Sequence, residues 1–156
     1  MPKQRQFGTI PNNPVGTCFK DRAELSAAGV HRPTVAGISG GKTEGADSIV
    51  LNRGYIDDED YGDYIVYTGH GGQNTSGIQI ADQKLTDSGN WALKLSFEQE
   101  LPVRVIRGPK GDPQWSPSVG YRYDGLYKVV RHPWPQRGTH GYIVWRYRLE
   151  RVDQSA

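Results

Sequence analysis

Cys18 is the only cysteine in this chain of 156 residues. A lone cysteine excludes an internal disulfide and a cysteine-rich zinc site, and it suits a reducing cytoplasm. Long apolar runs are also missing. None exceeds a few residues, so no stretch reads as a membrane span, and the start, Met1-Pro-Lys-Gln-Arg-Gln6, lacks the apolar core of a secretory signal. The four histidines (His31, His70, His132 and His140) have neither H-x-x-x-H nor H-E-x-x-H spacing, which argues against a zinc hydrolase. No H-x-E stands with a paired P-C-x-x-C, so the zinc deaminases are excluded as well. A strong net charge is absent too: +2 is too little to point to nucleic acid by itself.

What is present is glycine and proline, 20 and 10 residues, which favours a loop-rich β fold over a helical bundle. The length suits one domain with a sizeable core, set at 7–151 between tails at 1–6 and 152–156. Charge is unevenly distributed. Residues 1–43 carry six Lys/Arg against two Asp/Glu (net +4), 44–63 carry one against seven (net −6), and 101–151 carry ten against three (net +7). An acidic centre within basic flanks suits a base pocket with a phosphate-binding rim, or sheet faces lined with solvated arginines.

Along the chain, the pattern predicts a turn or short strand at 21–28, a β-prone run at 34–38, a glycine loop at 39–45 and a strand at 48–51. Further strands follow at 64–68, 103–107 and 126–131. Asp87 or Ser88 can cap a helix over 90–99, with Trp91, Leu93, Leu95 and Phe97 on its buried side. In 141–151, Ile143, Trp145, Tyr147 and Leu149 alternate with Val144, Arg146, Arg148 and Glu150, which predicts a strand with one apolar and one largely charged face. The expected fold is α+β, mainly β: a curved antiparallel sheet or barrel with one or two packed helices. Gly41-Lys-Thr43 superficially resembles a phosphate loop, but the first glycine of that motif would fall at Ala36, so nucleotide triphosphate binding is not expected.

The stretch Gly54–Gly72, GYIDDEDYGDYIVYTGHGG, organises the rest. Tyr55 and Tyr67 flank Asp57-Asp58-Glu59-Asp60, and a glycine-rich turn closes the segment. Two aromatic faces can sandwich a flat ring, and a carboxylate between them can accept a hydrogen bond from a ring amino group, as base-extruding proteins require. Composition alone favours a solvated acidic hairpin with two strand tyrosines, since charge runs are usually solvated faces.

Matches spread in order along the chain resemble the SRA domain, also called the YDG domain. They include Phe7-Gly-Thr-Ile-Pro11, Gly29-Val-His-Arg-Pro33, Asp82-Gln-Lys-Leu-Thr86, Tyr121-Arg-Tyr-Asp-Gly125 and Val144-Trp-Arg-Tyr147. That family reads 5-methylcytosine by flipping the base out of the duplex. The resemblance implies an SRA-like, PUA-like barrel whose partner is methylated double-stranded DNA, in a stand-alone bacterial type acting in the cytoplasm at the nucleoid, with no membrane, metal or cofactor. It implies that Tyr55 and Tyr67 stack on the flipped cytosine and that Asp58 accepts from its N4 amino group. Thr68 and the backbone around Asn52 and Gly54 line the remaining edge. Val35 is the thumb that fills the vacated stack. Arg22, Arg32, Ser39, His70 and the amides of Gly69 and Gly71 meet phosphates, with Lys84, Lys110 and Arg131 added by sign and loop position.

One departure stands out. Readers of hemimethylated CpG carry an Asn-Lys-Arg finger after a Ser-Gly pair; here Ser76-Gly77 leads to Ile78-Gln79-Ile80 in a shorter loop. The expectation is therefore a reader without catalysis and without strong hemimethyl or CpG preference. A metal-dependent, modification-directed nuclease using the acidic cluster is the alternative, and a β domain that binds protein rather than DNA is a third reading.

Overall fold

The computed structural model describes residues 5–152; the outer parts of the two tails expected at 1–6 and 152–156 lie outside them. One nine-stranded sheet carries two helices. In chain order the elements are β1 (Cys18–Phe19), α1 (Arg22–Ala28), β2 (Ile38–Gly41), β3 (Gly45–Leu51), β4 (Glu59–Asp60), β5 (Tyr64–Thr68), α2 (Ser88–Glu98), β6 (Val103–Arg107), β7 (Tyr121–Val129), β8 (Trp134–Arg137) and β9 (Ile143–Arg151). The sheet runs β2-β3-β6-β7-β9-β5-β4, with β1 on β7 and β8 on β9. Every pairing is antiparallel except that of β3 with β6, where Ser48 faces Arg104 and Leu51 faces Arg107.

The β3–β6 pair is the centre. All residues of both strands are buried, as strands covered on both faces must be. Buried polar groups in such strands need partners. Asp47 pairs with Arg104 (3.0 Å) and Arg5 (3.2 Å), and Ser48 meets the ring of His31 (2.7 Å). Arg104 also donates to the carbonyls of Gln6, Gly8 and Val30, tying the N-terminal segment to the sheet. At the other end, the Val152 amide bonds the Leu126 carbonyl.

Helix α2 lies against β2 and β3 through small residues. A Cβ built on Gly40 would stand 2.5 Å from the Ala92 Cβ, so glycine permits the approach. Ser96 Oγ both donates to the Ala46 carbonyl (2.8 Å) and accepts from its amide (2.9 Å). The buried face is therefore Asn90, Ala92, Leu93 and Ser96, while Trp91, Leu95 and Phe97 are only half-buried.

Several local expectations are corrected. Residues 22–28 form a helix, with the Asp21 side chain accepting from the Glu24 amide (3.0 Å) and Gly29 closing it in the left-handed region (φ 77°). The β-prone run at 34–38 is a loop up to Gly37, and strand β2 begins only at Ile38. The glycine loop at 39–45 is instead the β2–β3 hairpin. Strand β7 starts at Tyr121, upstream of the expected Leu126, and ends at Val129. On β9 the expected charged face is covered at one end only: Val144 is fully buried and Arg146 is 1% exposed, while Arg148 and Glu150 keep side-chain exposures of 38% and 46%.

The acidic run is held by the same economy. Arg107 on β6 is buried and grips both Asp60 oxygens at 2.8 Å while also bonding Asp124 (3.0 Å). Asp63, 87% exposed at its side chain, pairs with Arg151 at the surface. Breaking a buried pair from one side costs roughly 3–5 kcal/mol, whereas an exposed pair contributes about 0–1 kcal/mol. In urea unfolding, Asp60→Ala is expected to lose several-fold more stability than Asp63→Ala; equal losses would show that the Arg107 cage is not structural.

Candidate base-binding site

The loop before β2, the segment from β3 to β5 and the start of α2 border two adjoining cavities. The first, about 400 Å³, is lined by Val35, Asn52, Gly54, Tyr55, Asp58 and Tyr67 among others. The second, about 480 Å³, extends past Thr68 to the start of α2. Both have Ala36, Gly37, Tyr55, Tyr67 and His70 in their walls.

Tyr67 is placed by β5 pairing with β9 and lies almost wholly within the core, its hydroxyl 3.3 Å from the carbonyls of both Gly37 and Val50. Tyr55 lies on the loop after β3, and its hydroxyl accepts from the Gly71 amide (2.7 Å). Asp58 stands between them in sequence and lines the same cavity. Its Oδ1 accepts from the Thr68 amide at 2.7 Å. Burial disfavours the charged carboxylate and pushes Asp58 up to about 7; the Thr68 hydrogen bonds and the nearby Arg146 pull the other way.

The neighbouring acids do not share this cavity as free carboxylates. Asp57 accepts from the Thr139 amide (2.9 Å) and hydroxyl (2.6 Å), and Glu59 from Arg146 (2.7 Å) and Tyr61 (2.5 Å). With Asp60 on Arg107, the four acids of the run point to four different partners. No cluster of three or more metal-ligating side chains occurs among the described residues.

The loops around the cavity are pinned from behind. Asn90, buried at the start of α2, accepts from the His70 amide (2.7 Å) and donates to the carbonyls of His70 and Lys84 (both 2.9 Å). Gln83 donates to the Gly69 carbonyl (2.7 Å), Gln79 to that of Gly71 (2.9 Å) and Gln73 to that of Gly54 (2.9 Å). On the opposite lip, Arg22 donates to the carbonyls of Pro33 (2.9 Å), Val35 (3.2 Å) and Ala36 (2.6 Å). His31 is buried and pushed down to about 4, chiefly by burial, so its ring is neutral. Its Nε2 donates to the Ala36 carbonyl (2.9 Å), which leaves Nδ1 to accept from Ser48. Val35 stands at the tip of this braced loop, 87% exposed.

These contacts redistribute the expected roles. Arg22 is a brace for the Val35 loop, its guanidinium occupied by three carbonyls. Ser39 is corrected: it is buried and accepts from Arg5 (3.1 Å), so it presents nothing to a phosphate. The Gly69 amide donates to the Trp145 carbonyl (2.7 Å) and the Gly71 amide to Tyr55, so neither is a spare donor. Asn52 uses its side chain as well as its backbone, accepting from the Lys110 amide (2.7 Å). His70, Lys84 and Lys110 are exposed, with His70 and Lys110 on the cavity wall. Arg131 stacks on Trp134 (4.1 Å) beside His132, which meets Phe97 near the far end of α2, away from the cavity. Arg32 is half-buried and lines neither cavity.

Sequence reading missed Gln73, Gln79, Gln83, Asn90 and Arg146. Gln83 and Arg146 fall inside quoted motifs, which was the available signal; the others look like ordinary polar residues.

The site is thus a concave one, with Tyr55, Tyr67 and Asp58 in one wall. The chain belongs to the SAD/SRA domain family, whose sequence model matches residues 6–155. It is 46% identical to E3 ubiquitin-protein ligase UHRF1 of Rattus norvegicus over 168 residues, covering 94% of this chain but 21% of that protein. The chain thus spans about a fifth of that relative's length. Among solved structures it is similar to a modification-dependent TagI restriction endonuclease (TM-score 0.93, 49% identity, 97% of this chain and 54% of that one). It is also similar to the SUVH5 SRA domain in complex with fully methylated CG DNA (TM-score 0.79, 39% identity, 97% of both chains). No helix among the described residues is long and apolar enough to cross a membrane.

The raised Asp58 value has a consequence for stability. An unfolded aspartate titrates near 3.9. The folded chain therefore holds this proton where the unfolded chain has lost it. The stabilisation is full below about pH 4, drains away towards pH 7, and is gone above it. Asp58→Asn keeps the acceptor for Thr68 and removes the charge. It should unfold at higher urea than the parent at pH 8, by an amount on the order of a few kcal/mol at about 1.4 per unit, with the gap closing towards pH 4. A gap that is the same at both pH values would mean the carboxyl is not titrating abnormally.

Proposed function

We propose that this domain binds DNA containing 5-methylcytosine by taking the flipped base between Tyr55 and Tyr67, with Asp58 accepting from the exocyclic N4 amino group. The observation that carries the reading is the enclosed Asp58 carboxyl, held by the Thr68 amide beside two anchored tyrosines. A carboxylate there favours cytosine over thymine, which offers a carbonyl in place of the amino group. Base–aromatic stacking contributes roughly 1–3 kcal/mol per base, comparable with the cost of extrusion. Val35 fills the vacated stack. His70, Lys84 and Lys110 supply phosphate contacts. The SUVH5 SRA domain has been solved with fully methylated, hemimethylated and fully hydroxymethylated CG DNA, which supports the same ligand class here.

The domain acts without catalysis. Cleavage by the acidic run is the weaker reading, because Asp57, Glu59 and Asp60 are consumed by Thr139, Arg146 and Arg107. The TagI similarity does not change this, since nearly half of that chain lies outside the match. Incubation of methylated duplex with Mg²⁺ and this chain should leave the DNA intact.

Titrations with unmodified, hemimethylated and fully methylated duplexes at one salt concentration test the reading, since phosphate contacts make affinity salt-dependent. Methylated duplex should bind more tightly, with a fluorescent base analogue beside the site brightening. Asp58→Ala should weaken that binding by about 1.5–3 kcal/mol, the range for hydrogen bonds to charged groups. Equal affinity for methylated and unmodified DNA would falsify the proposal.

The hairpin from Gln73 to Gln79 carries exposed Ile78 and is tied internally by Asn74, whose Oδ1 accepts from the Ser76 and Ile78 amides (2.9 and 3.0 Å). It offers no basic side chain to inspect the partner strand. Hemimethylated and fully methylated sites should therefore bind alike, and 5-methylcytosine outside CpG should be tolerated. A preference for hemimethylated CpG of roughly ten-fold, the size of one good bidentate base contact, would show that another loop does this work.

A further inference from the structure

Left-handed backbone suits glycine and strains a residue that carries a Cβ. Arg53 adopts it, with φ 52°, two residues before Tyr55. Its neighbour Asn52 is fixed. The Asn52 Oδ1 accepts from the Lys110 amide (2.7 Å), and a Cβ built on Gly108 would stand 2.5 Å from that oxygen, so this side chain is wedged into the loop after β6. A glycine at 53 would make the same turn without strain. An arginine kept there against its preference points to a task for its side chain.

The guanidinium is available for one. Arg53 is exposed, and none of the ion pairs among the described residues includes it. It lines a small pocket of about 240 Å³ that four acids also border. Each of these is engaged elsewhere: Glu59 by Arg146 (2.7 Å), Asp60 by Arg107 (2.8 Å), Asp58 by the Thr68 amide (2.7 Å) and Asp112 by the Gln114 amide (2.9 Å). Arg53 lines the base cavity as well, and so does exposed Lys110, whose loop Asn52 ties to this turn. Two cations on two joined loops thus share one lip of the cavity.

We propose that Arg53 holds a phosphate next to the flipped nucleotide, and does so only while the base is in the cavity. This contact rests on the base-pocket reading above. Rotating a nucleotide about its backbone carries the base inward and leaves its sugar at the mouth. The phosphates that flank that sugar then lie just outside, within reach of a cation on the lip. In an unflipped duplex the same phosphates follow the regular helix and do not enter the mouth. A planar guanidinium suits the task, because it can donate two parallel hydrogen bonds to phosphate oxygens. Lys84, which lines neither cavity, would meet the duplex backbone whether or not a base is extruded. Arg53 therefore adds affinity to the flipped state alone, and sharpens discrimination between methylated and unmodified DNA without touching the base.

Anisotropy titrations of methylated and unmodified duplexes over about 50–200 mM salt, with the parent, Arg53→Gly and Arg53→Lys, provide the test. Glycine removes the charge and relieves the backbone, so Arg53→Gly should unfold in urea no earlier than the parent. It should bind methylated duplex about ten-fold more weakly at the lowest salt, and its slope of log K against log salt should be shallower by about 0.9, the share of one phosphate. Its affinity for unmodified duplex should match the parent's. Arg53→Lys should keep the parent's slope. An Arg53→Gly variant that binds methylated DNA as the parent does overturns the contact and leaves the base pocket standing. So does a loss of affinity with the slope unchanged, or an equal loss on unmodified DNA. A parent that binds both duplexes equally overturns the base pocket itself, and the Arg53 contact with it.

Discussion

The guanidinium of Arg146 is enclosed on β9, and a buried cation must be surrounded by acceptors. It finds them in the Asp57 carbonyl (2.6 Å), the Glu59 carboxylate (2.7 Å) and the Thr68 hydroxyl (3.3 Å). These three contacts draw the acidic run down onto the sheet and fix its register against β5. Asp58, between two residues that Arg146 holds, lines the cavity, where Thr68 meets it. The position of the one enclosed carboxyl thus follows from the needs of a charge on the strand beneath it. That the nearby cation only partly offsets burial explains why Asp58 stays high rather than being pulled into the normal carboxylate range.

The rest of the site is assembled by amide side chains rather than ions. Gln73, Gln79, Gln83 and Asn90 each span from one loop to another and use oxygen or nitrogen to satisfy backbone groups that no ladder reaches. Neutral amides suit this task because burial costs them less than it costs a charge, and they offer donor and acceptor on one rigid plane. Arg22 and His31 do the same for the opposite lip. With its ring neutral, His31 can share the interior with Arg22 and Arg104 without repulsion. The walls are therefore fixed before any ligand arrives, and little ordering entropy is left for binding to oppose.

Much of this was readable from the chain and some was not. Strands at 64–68 and 103–107 were legible to the residue because β-branched and aromatic side chains fill them between clear breaks. Helix α1 was not, since it buries only Leu25 and shows no apolar period. On β9, alternation gave the strand but the wrong environment: period two reports which side chains share a face, and a buried, ion-paired arginine looks the same in sequence as a solvated one. Tyr55, Asp58 and Tyr67 could be placed together through the family motif. The phosphate roles of Ser39, Gly69 and Gly71 could not be judged, because whether an amide or hydroxyl is spare depends on partners far along the chain, such as Trp145 for Gly69.

The parallel contact between β3 and β6 also governs how the chain reaches this state. Leu51 must register with Arg107 across an excursion that contains the acidic run, β5, the glycine turn and α2, so Tyr55, Asp58, Tyr67 and His70 all lie inside the crossover, while Val35 and its braced loop precede it. Pairings of such long sequence separation form slowly, because loop closure precedes the contacts that reward it. No partial chain ending before β6 can hold the cavity together. A polypeptide emerging from the ribosome therefore carries most of the cavity's residues before their partners exist: β5 pairs with β9, whose Arg146 holds the acidic run, so the surface is complete only once the last strand has been made.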